Sequence, residues 1–213
     1  MKVHFVLVAE GTSDHALVDH LRTLCVLSGA DEASGLAPDW GRVKLSQPVR
    51  MKSMIDAAIE LEPSADFLFI HRDSDSRDAD QRRHEIKDLM ADRVSAYVAV
   101  VPVQETEAWI LLDENEIRAV AGNPNGRTAL DCPRPMDVER LASPKEILEG
   151  MLATASGYSG RRLRKFRGEF PNHRRLLLER LDSNGPVADV PAHARLRRDI
   201  VALLATIPEP PLR

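Results

Sequence analysis

Three short runs of almost unbroken apolar residues set the terms for this chain: VHFVLVA at 3–9, FLFI at 67–70 and YVAVVPV at 97–103. A strand with one wet face alternates apolar and polar residues. Runs without alternation suit strands covered on both faces, as in a parallel sheet with helices above and below it. The segments between the runs have helical spacing. Ala16, Leu17, Leu21, Leu24 and Val26–Leu27 mark a helix that Thr12 or Ser13 can cap. MKSMIDAAIELE, 51–62, marks a second helix, ended by Pro63, and a charged helix is predicted at about 77–93. Residues 30–41 read as a loop with Gly, Pro and acids, and 42–46 as a short strand. This order predicts an α/β class, with a mostly parallel, Rossmann-like sheet flanked by helices.

After Val103 the pattern changes. ETEAWILLDENEIRAVAG, 105–122, reads as helix, and 122–142 as a Pro- and Gly-bearing connection. SPKEILEGMLATA, 143–155, is a helix opened by Ser143-Pro144. Residues 160–206 read as further helices, broken at SNGP (183–186) and VPA (190–192). The expected division is an α/β core at 1–113 and a helical addition at 114–213 packed on it.

Composition removes several classes of function. With 213 residues, 43% hydrophobic and 29% charged, the chain can bury one sizeable core. No apolar run approaches the roughly 20 residues of a membrane span, so no membrane partner is expected. The opening MKVHFVLVAEGTSD reads as a first strand rather than a signal peptide. The two cysteines, Cys25 and Cys132, have no Cys or His at zinc spacing nearby. Neither a disulfide framework nor a zinc site follows, and a reducing cytoplasm fits.

The formal charge is −4, but it is unevenly spread. Between residues 158 and 182 stand eight basic residues, Arg161, Arg162, Arg164, Lys165, Arg167, Arg174, Arg175 and Arg180, and three acidic ones, Glu169, Glu179 and Asp182. That stretch is therefore +5 and the rest of the chain −9. Tyr158, Phe166 and Phe170 are interleaved with the cations. Such a segment can follow a nucleic-acid backbone without reading bases, and it can equally be a solvated helix face.

Acids gather at the predicted strand ends. The first strand runs into AEGTSD with Glu10 and Asp14, the second into HRDSD with Asp73 and Asp75, and the third into PVQETEAW with Glu105 and Glu107. In an open parallel sheet, ligands bind where the carboxyl ends of the strands emerge. Carboxylates converging there call for a hard cation, and oxygen-only donors suit Mg²⁺ or Mn²⁺. Arg72 can neutralise a carboxylate or meet a phosphate, and His71, after apolar Ile70, reads as structural. Trp109 reads as core, and only one of Glu105 and Glu107 needs to face inward.

LVAEG (7–11), followed by a strand ending in Asp73-Ser74-Asp75, resembles the Toprim domain of topoisomerases, primases and several nucleases. PVQETEAWILLD (102–113), with Pro144-Lys145 downstream, resembles an uncharacterised Toprim-like family related to overcoming-lysogenization-defect nucleases and phage-defence proteins. The resemblance implies a Toprim fold over roughly residues 3–103 and a narrower match to about 150. It implies Glu10 as metal ligand or general base, Asp73 and Asp75 as the metal pair, and Asp14 as a further ligand where Glu is usual. Glu107 would be a ligand or support one, Lys145 would steady phosphorane charge, and Gly11 would let the backbone turn. The implied activity is Mg²⁺- or Mn²⁺-dependent phosphodiester hydrolysis of nucleic acid. Arg72, Arg161, Arg162, Arg164, Lys165, Arg167, Arg174 and Arg175 would contact the substrate, with a separate ATPase partner and a homodimer as possible company. Two alternatives compete. One is a non-catalytic, metal-bearing module that binds nucleic acid or a defence partner. The other is an Asp-x-Asp phosphatase, which would usually carry its loop after the first strand and would leave Glu10 unexplained. A Rossmann nucleotide site lacks its glycine-rich phosphate loop.

Overall fold

Residues 1–43, 45 and 50–208 are described by a computed structural model. Among them four strands, β1 (Lys2–Val8), β2 (Glu32–Leu36), β3 (Phe67–His71) and β4 (Ala96–Val100), form one sheet in the order β2-β1-β3-β4, every pair parallel. The helices are α1 (Leu17–Leu27), α2 (Met51–Leu61), α3 (Ala79–Met90), α4 (Glu114–Val120), α5 (Pro135–Val138), α6 (Pro144–Ser156), α7 (Gly160–Gly168), α8 (Phe170–Glu179) and α9 (Pro191–Leu204). The chain divides into two compact units. The first holds residues 1–72, 80–101 and those from Arg195 onward. The second holds 73–79 and 102–194. The helical addition expected from residue 114 falls in the second unit up to Ala194. The units part at the carboxyl ends of β3 and β4, so the loops leaving those strands belong with the helices. No helix among the described residues is long and apolar enough to cross a membrane.

In the first unit the continuous apolar runs become the two central strands and one edge. Phe5, Val6, Leu7 and Val8 of β1 and every residue of β3 are buried. The register sets Phe5 beside Phe67 and Val8 beside Ile70. Phe5, Phe67 and Phe69 form an aromatic cluster, with edge-on contacts at 4.8 and 5.2 Å between ring centroids. Each fully buried ring contributes on the order of 1.5–3 kcal/mol relative to exposure.

The second strand of the sheet lies at EASGL, in the segment read as loop. Its pattern is short and polar, and Gly35 is the reason it can pair there. A Cβ at that position would sit 2.3 Å from the Phe5 ring, so the aromatic core occupies the room a side chain would need. The short strand expected at 42–46 rests on residues 44 and 46, which lie outside the described residues. The first helix also differs from expectation. A 3-10 turn at Thr12–Asp14 precedes it, α1 begins at Leu17, and its N-cap is Ala16 with no side-chain cap bond.

In the second unit the helix expected across 105–122 is interrupted. A 3-10 segment at Thr106–Ile110 buries all five of its residues, and Asp113 then starts α4 afresh. The Asp113 carboxylate accepts from the backbone N–H of Asn115 at 2.9 Å and Glu116 at 3.2 Å. A short acidic side chain that caps the backbone in this way ends one helical segment and opens the next. Trp109, Leu111, Ile117, Leu148, Leu152, Leu177 and Leu178 make the core of this unit. Gly157 closes α6 at φ 65°, the left-handed position that favours glycine.

Candidate functional site

Because β1 and β3 are parallel neighbours in register, the chain leaves both at the same edge of the sheet. That edge is where an open α/β sheet presents ligands. Glu10, two residues past β1, is exposed, and its carboxylate lies 3.1 Å from Nε of Arg72 just past β3. Arg72 also reaches Glu85 of α3 at 3.2 Å, and Arg82 donates to the same carboxylate at 2.7 Å. The backbone N–H of Arg72 donates to the Val100 carbonyl at 3.1 Å, which fixes where the guanidinium starts. Arg72 thus sits between two carboxylates. Asp14 ends the 3-10 turn and is buried, its Oδ2 3.8 Å from Nδ1 of buried His71. Gly11 takes φ −127°, ψ 154°, extended backbone open to any residue. Trp40 closes over the end of β1 by donating its indole N–H to the Ala9 carbonyl at 2.8 Å.

In the second unit the loops that follow β3 and β4 run side by side. Ser74 N–H donates to the Pro102 carbonyl at 3.1 Å and Asp75 N–H to the Gln104 carbonyl at 3.0 Å. In return Gln104 N–H donates to the Ser76 carbonyl at 3.2 Å and the Ser74 hydroxyl at 2.8 Å. This bracing holds Asp75 and Gln104 at φ 53° and 63°, in the left-handed region. Each such non-glycine residue costs on the order of 1–3 kcal/mol, least for Asp, and persists only where its surroundings impose it. Asp75 is exposed. Asp73 is anchored, for its Oδ1 accepts from both the backbone N–H (2.9 Å) and the hydroxyl (2.8 Å) of Thr106.

The two glutamates of ETEAW point to different work. Glu107 is 5% exposed and receives Nε of Arg174, 6% exposed, at 2.8 Å. Glu105 accepts the Lys145 backbone N–H at 3.0 Å and so caps α6. The Lys145 ammonium itself lies 6.0 Å over the Phe170 ring. Trp109 is 1% exposed and meets His193 edge-on.

The carboxylates are of the kind a hard divalent cation prefers. Among the described residues, no three His, Cys, Asp or Glu side chains gather so as to hold a metal ion. Glu10 faces a guanidinium, one oxygen of Asp73 takes two hydrogen bonds, and Glu107 is neutralised inside its unit.

Of the basic stretch, Arg174 is interior, whereas Arg161, Arg162, Arg164, Lys165, Arg167 and Arg175 are exposed. Glu85, Gln104 and Thr106 organise the strand-end acids; Gln104 and Thr106 lie within the PVQETEAW segment, but only its glutamates stand out there as site chemistry. Their roles come from contacts made across 13, 30 and 33 residues. Compared with known protein families, curated proteins and solved structures, the chain matches none. The Toprim resemblance therefore rests on LVAEG, on Asp73-Ser74-Asp75 and on the downstream segments alone.

Proposed function

We propose that this protein hydrolyses phosphodiester bonds of nucleic acid, as a Toprim-type nuclease, with Glu10, Asp73 and Asp75 as the acids that matter. The observation that supports this reading most is the braced loop after β3, which keeps Asp75 exposed in a strained backbone state. Left-handed backbone at non-glycine residues clusters at ligand sites, and the strand ends of a parallel sheet are where ligands bind. Dependence on Mg²⁺ or Mn²⁺ comes from the resemblance and not from the folded arrangement of the acids. A role in phage defence, with a separate ATPase, belongs to the same resemblance.

A second reading has an observation of its own. Glu10 is held by Arg72 and Asp73 by Thr106, which is how a non-catalytic module that binds nucleic acid or a partner would satisfy its acids.

The experiment is Mn²⁺ calorimetry and cleavage of plasmid, single-stranded DNA and RNA by wild type and by Asp73→Asn/Asp75→Asn. Asparagine keeps an oxygen for Thr106 to donate to, so the loop is retained while the charge is lost. Cleavage by wild type that drops at least a hundredfold in the variant is the expected result. Equal cleavage by both proteins overturns the nuclease assignment, and binding without cleavage by either favours the module.

A further inference from the structure

The segment 158–173 carries an arrangement that strand-end acids do not explain. Helix α7 bears Arg161, Arg162, Arg164, Lys165 and Arg167 within nine residues, all exposed. Among the described residues none of the five makes an ion pair, whereas Arg174, Arg175 and Arg180 just beyond each pair with a glutamate. Like charges this close weaken a helix by repulsion, and the cost is offset when a polyanion lies along it. Phe166, buried, is what anchors α7 to its unit.

Beside these cations opens a groove of about 300 Å³, lined by Tyr158, Arg162, Lys165, Phe166 and His173, with Glu169 as its acid. The Arg162 guanidinium lies 3.8 Å over the Tyr158 ring. Tyr158 meets Phe166 edge-on at 5.6 Å, and Phe166 stacks on His173 at 4.2 Å with 27° between planes. Burial holds His173 below the ordinary histidine range, so at neutral pH the stack adds no charge. Cations and flat groups therefore line one groove, together with residues 120–122.

We propose that α7 and this groove form a binding site for single-stranded nucleic acid, Arg161, Arg164, Lys165 and Arg167 taking phosphates and the Tyr158–Arg162 pair taking an unstacked base. A guanidinium or aromatic face offers base stacking worth about 1–3 kcal/mol per base. A duplex hides its base faces and would use the cations alone. A poly-glutamate chain offers charge without rings to stack, and a membrane surface would want exposed apolar residues next to the cations, where α7 buries Phe166. The proposal rests on the nucleic-acid reading above but not on cleavage.

The test is fluorescence anisotropy of the full chain with a labelled oligo-dT of about 15 nucleotides, within the usual site sizes of 4–16. Its duplex with oligo-dA and a poly-glutamate chain serve as competitors, across salt from about 50 to 200 mM. Wild type should prefer the single strand. Arg164→Ala/Lys165→Ala should weaken binding and reduce the salt slope by about 1.4, at roughly 0.7 per phosphate contact on single strands. Tyr158→Leu should keep the slope but lose about 5- to 150-fold in single-strand affinity. Equal affinity for duplex, displacement by poly-glutamate at equal charge, or a silent Tyr158→Leu would each overturn the proposal. Binding of this kind without cleavage by any protein leaves this site standing and sinks the nuclease reading, and cleavage indifferent to the α7 variants does the reverse.

Discussion

Helices α7 and α8 follow one another, are both arginine-bearing and look alike as sequence, yet their cations meet opposite ends. On α8, Arg174 turns inward to Glu107 and Arg175 pairs with Glu179 one turn on, and Arg180 just past the helix lies 3.5 Å from Glu116. On α7 the cations face solvent, and among the described residues no carboxylate answers them. A basic stretch counted along the chain is therefore two things. One part is scaffold, in which charge is spent inside the protein, and the other is a surface whose charge is available to a partner.

The sharpest way to break this contrast is to remove Arg174. Arg174→Ala would leave Glu107 buried without its partner, and the expected loss is about 3–5 kcal/mol in denaturant unfolding. A loss under about 1 kcal/mol would mean that the pair is solvated and α8 no different from α7. Replacing both partners with apolar residues, Glu107→Leu/Arg174→Met, should recover most of the loss, since the penalty lies in the orphaned charge.

The pH dependence separates the helices next. His173 of α8 is held low by desolvation, against a smaller raising effect of Glu169. As pH falls below about 6.5 the unfolded chain takes up the proton first, so stability is full above that pH and declines as pH drops through the folded value. His173→Phe should flatten part of that decline in thermal or urea unfolding followed from pH 8 to 5. His15, also lowered by burial, contributes in the same direction. Variants of α7 should leave the slope unaltered.

Neutralising α7 should do little to the fold. Arg161→Gln, Arg164→Gln and Arg167→Gln together should change stability by no more than about 0.5 kcal/mol, in either direction, while reducing binding to single strands. A large destabilisation would show that these side chains are scaffold after all. The smallest effect expected is at Arg175→Ala, where an exposed i,i+4 pair contributes about 0.3–0.5 kcal/mol that high salt should erase.

Three of the four strands were legible because side chains that must be dry on both faces leave no alternation to misread. The β2 strand was not legible, since EASGL has neither run nor alternation and Gly35 stands there to admit the Phe5 ring. The first helix was placed too early because Thr12 and Ser13 have cap chemistry. The chain spends those residues on a 3-10 turn that buries Asp14. In the candidate site the acids could be found by position, as residues that follow apolar strands. Their company could not. Arg72 beside Glu10, Thr106 on Asp73, and Gln104 bracing Asp75 depend on which strands lie next to each other.

The sequence by itself determined the alternation of strand and helix, because burial and spacing are written in side chains a few residues apart. It also determined where acids and cations are dense. Only the tertiary structure decided which charges are answered, since Glu107 and Arg174 are 67 residues apart and meet in the interior. A charge acts on its partner through distance and dielectric, and neither is a property of the chain until it has folded.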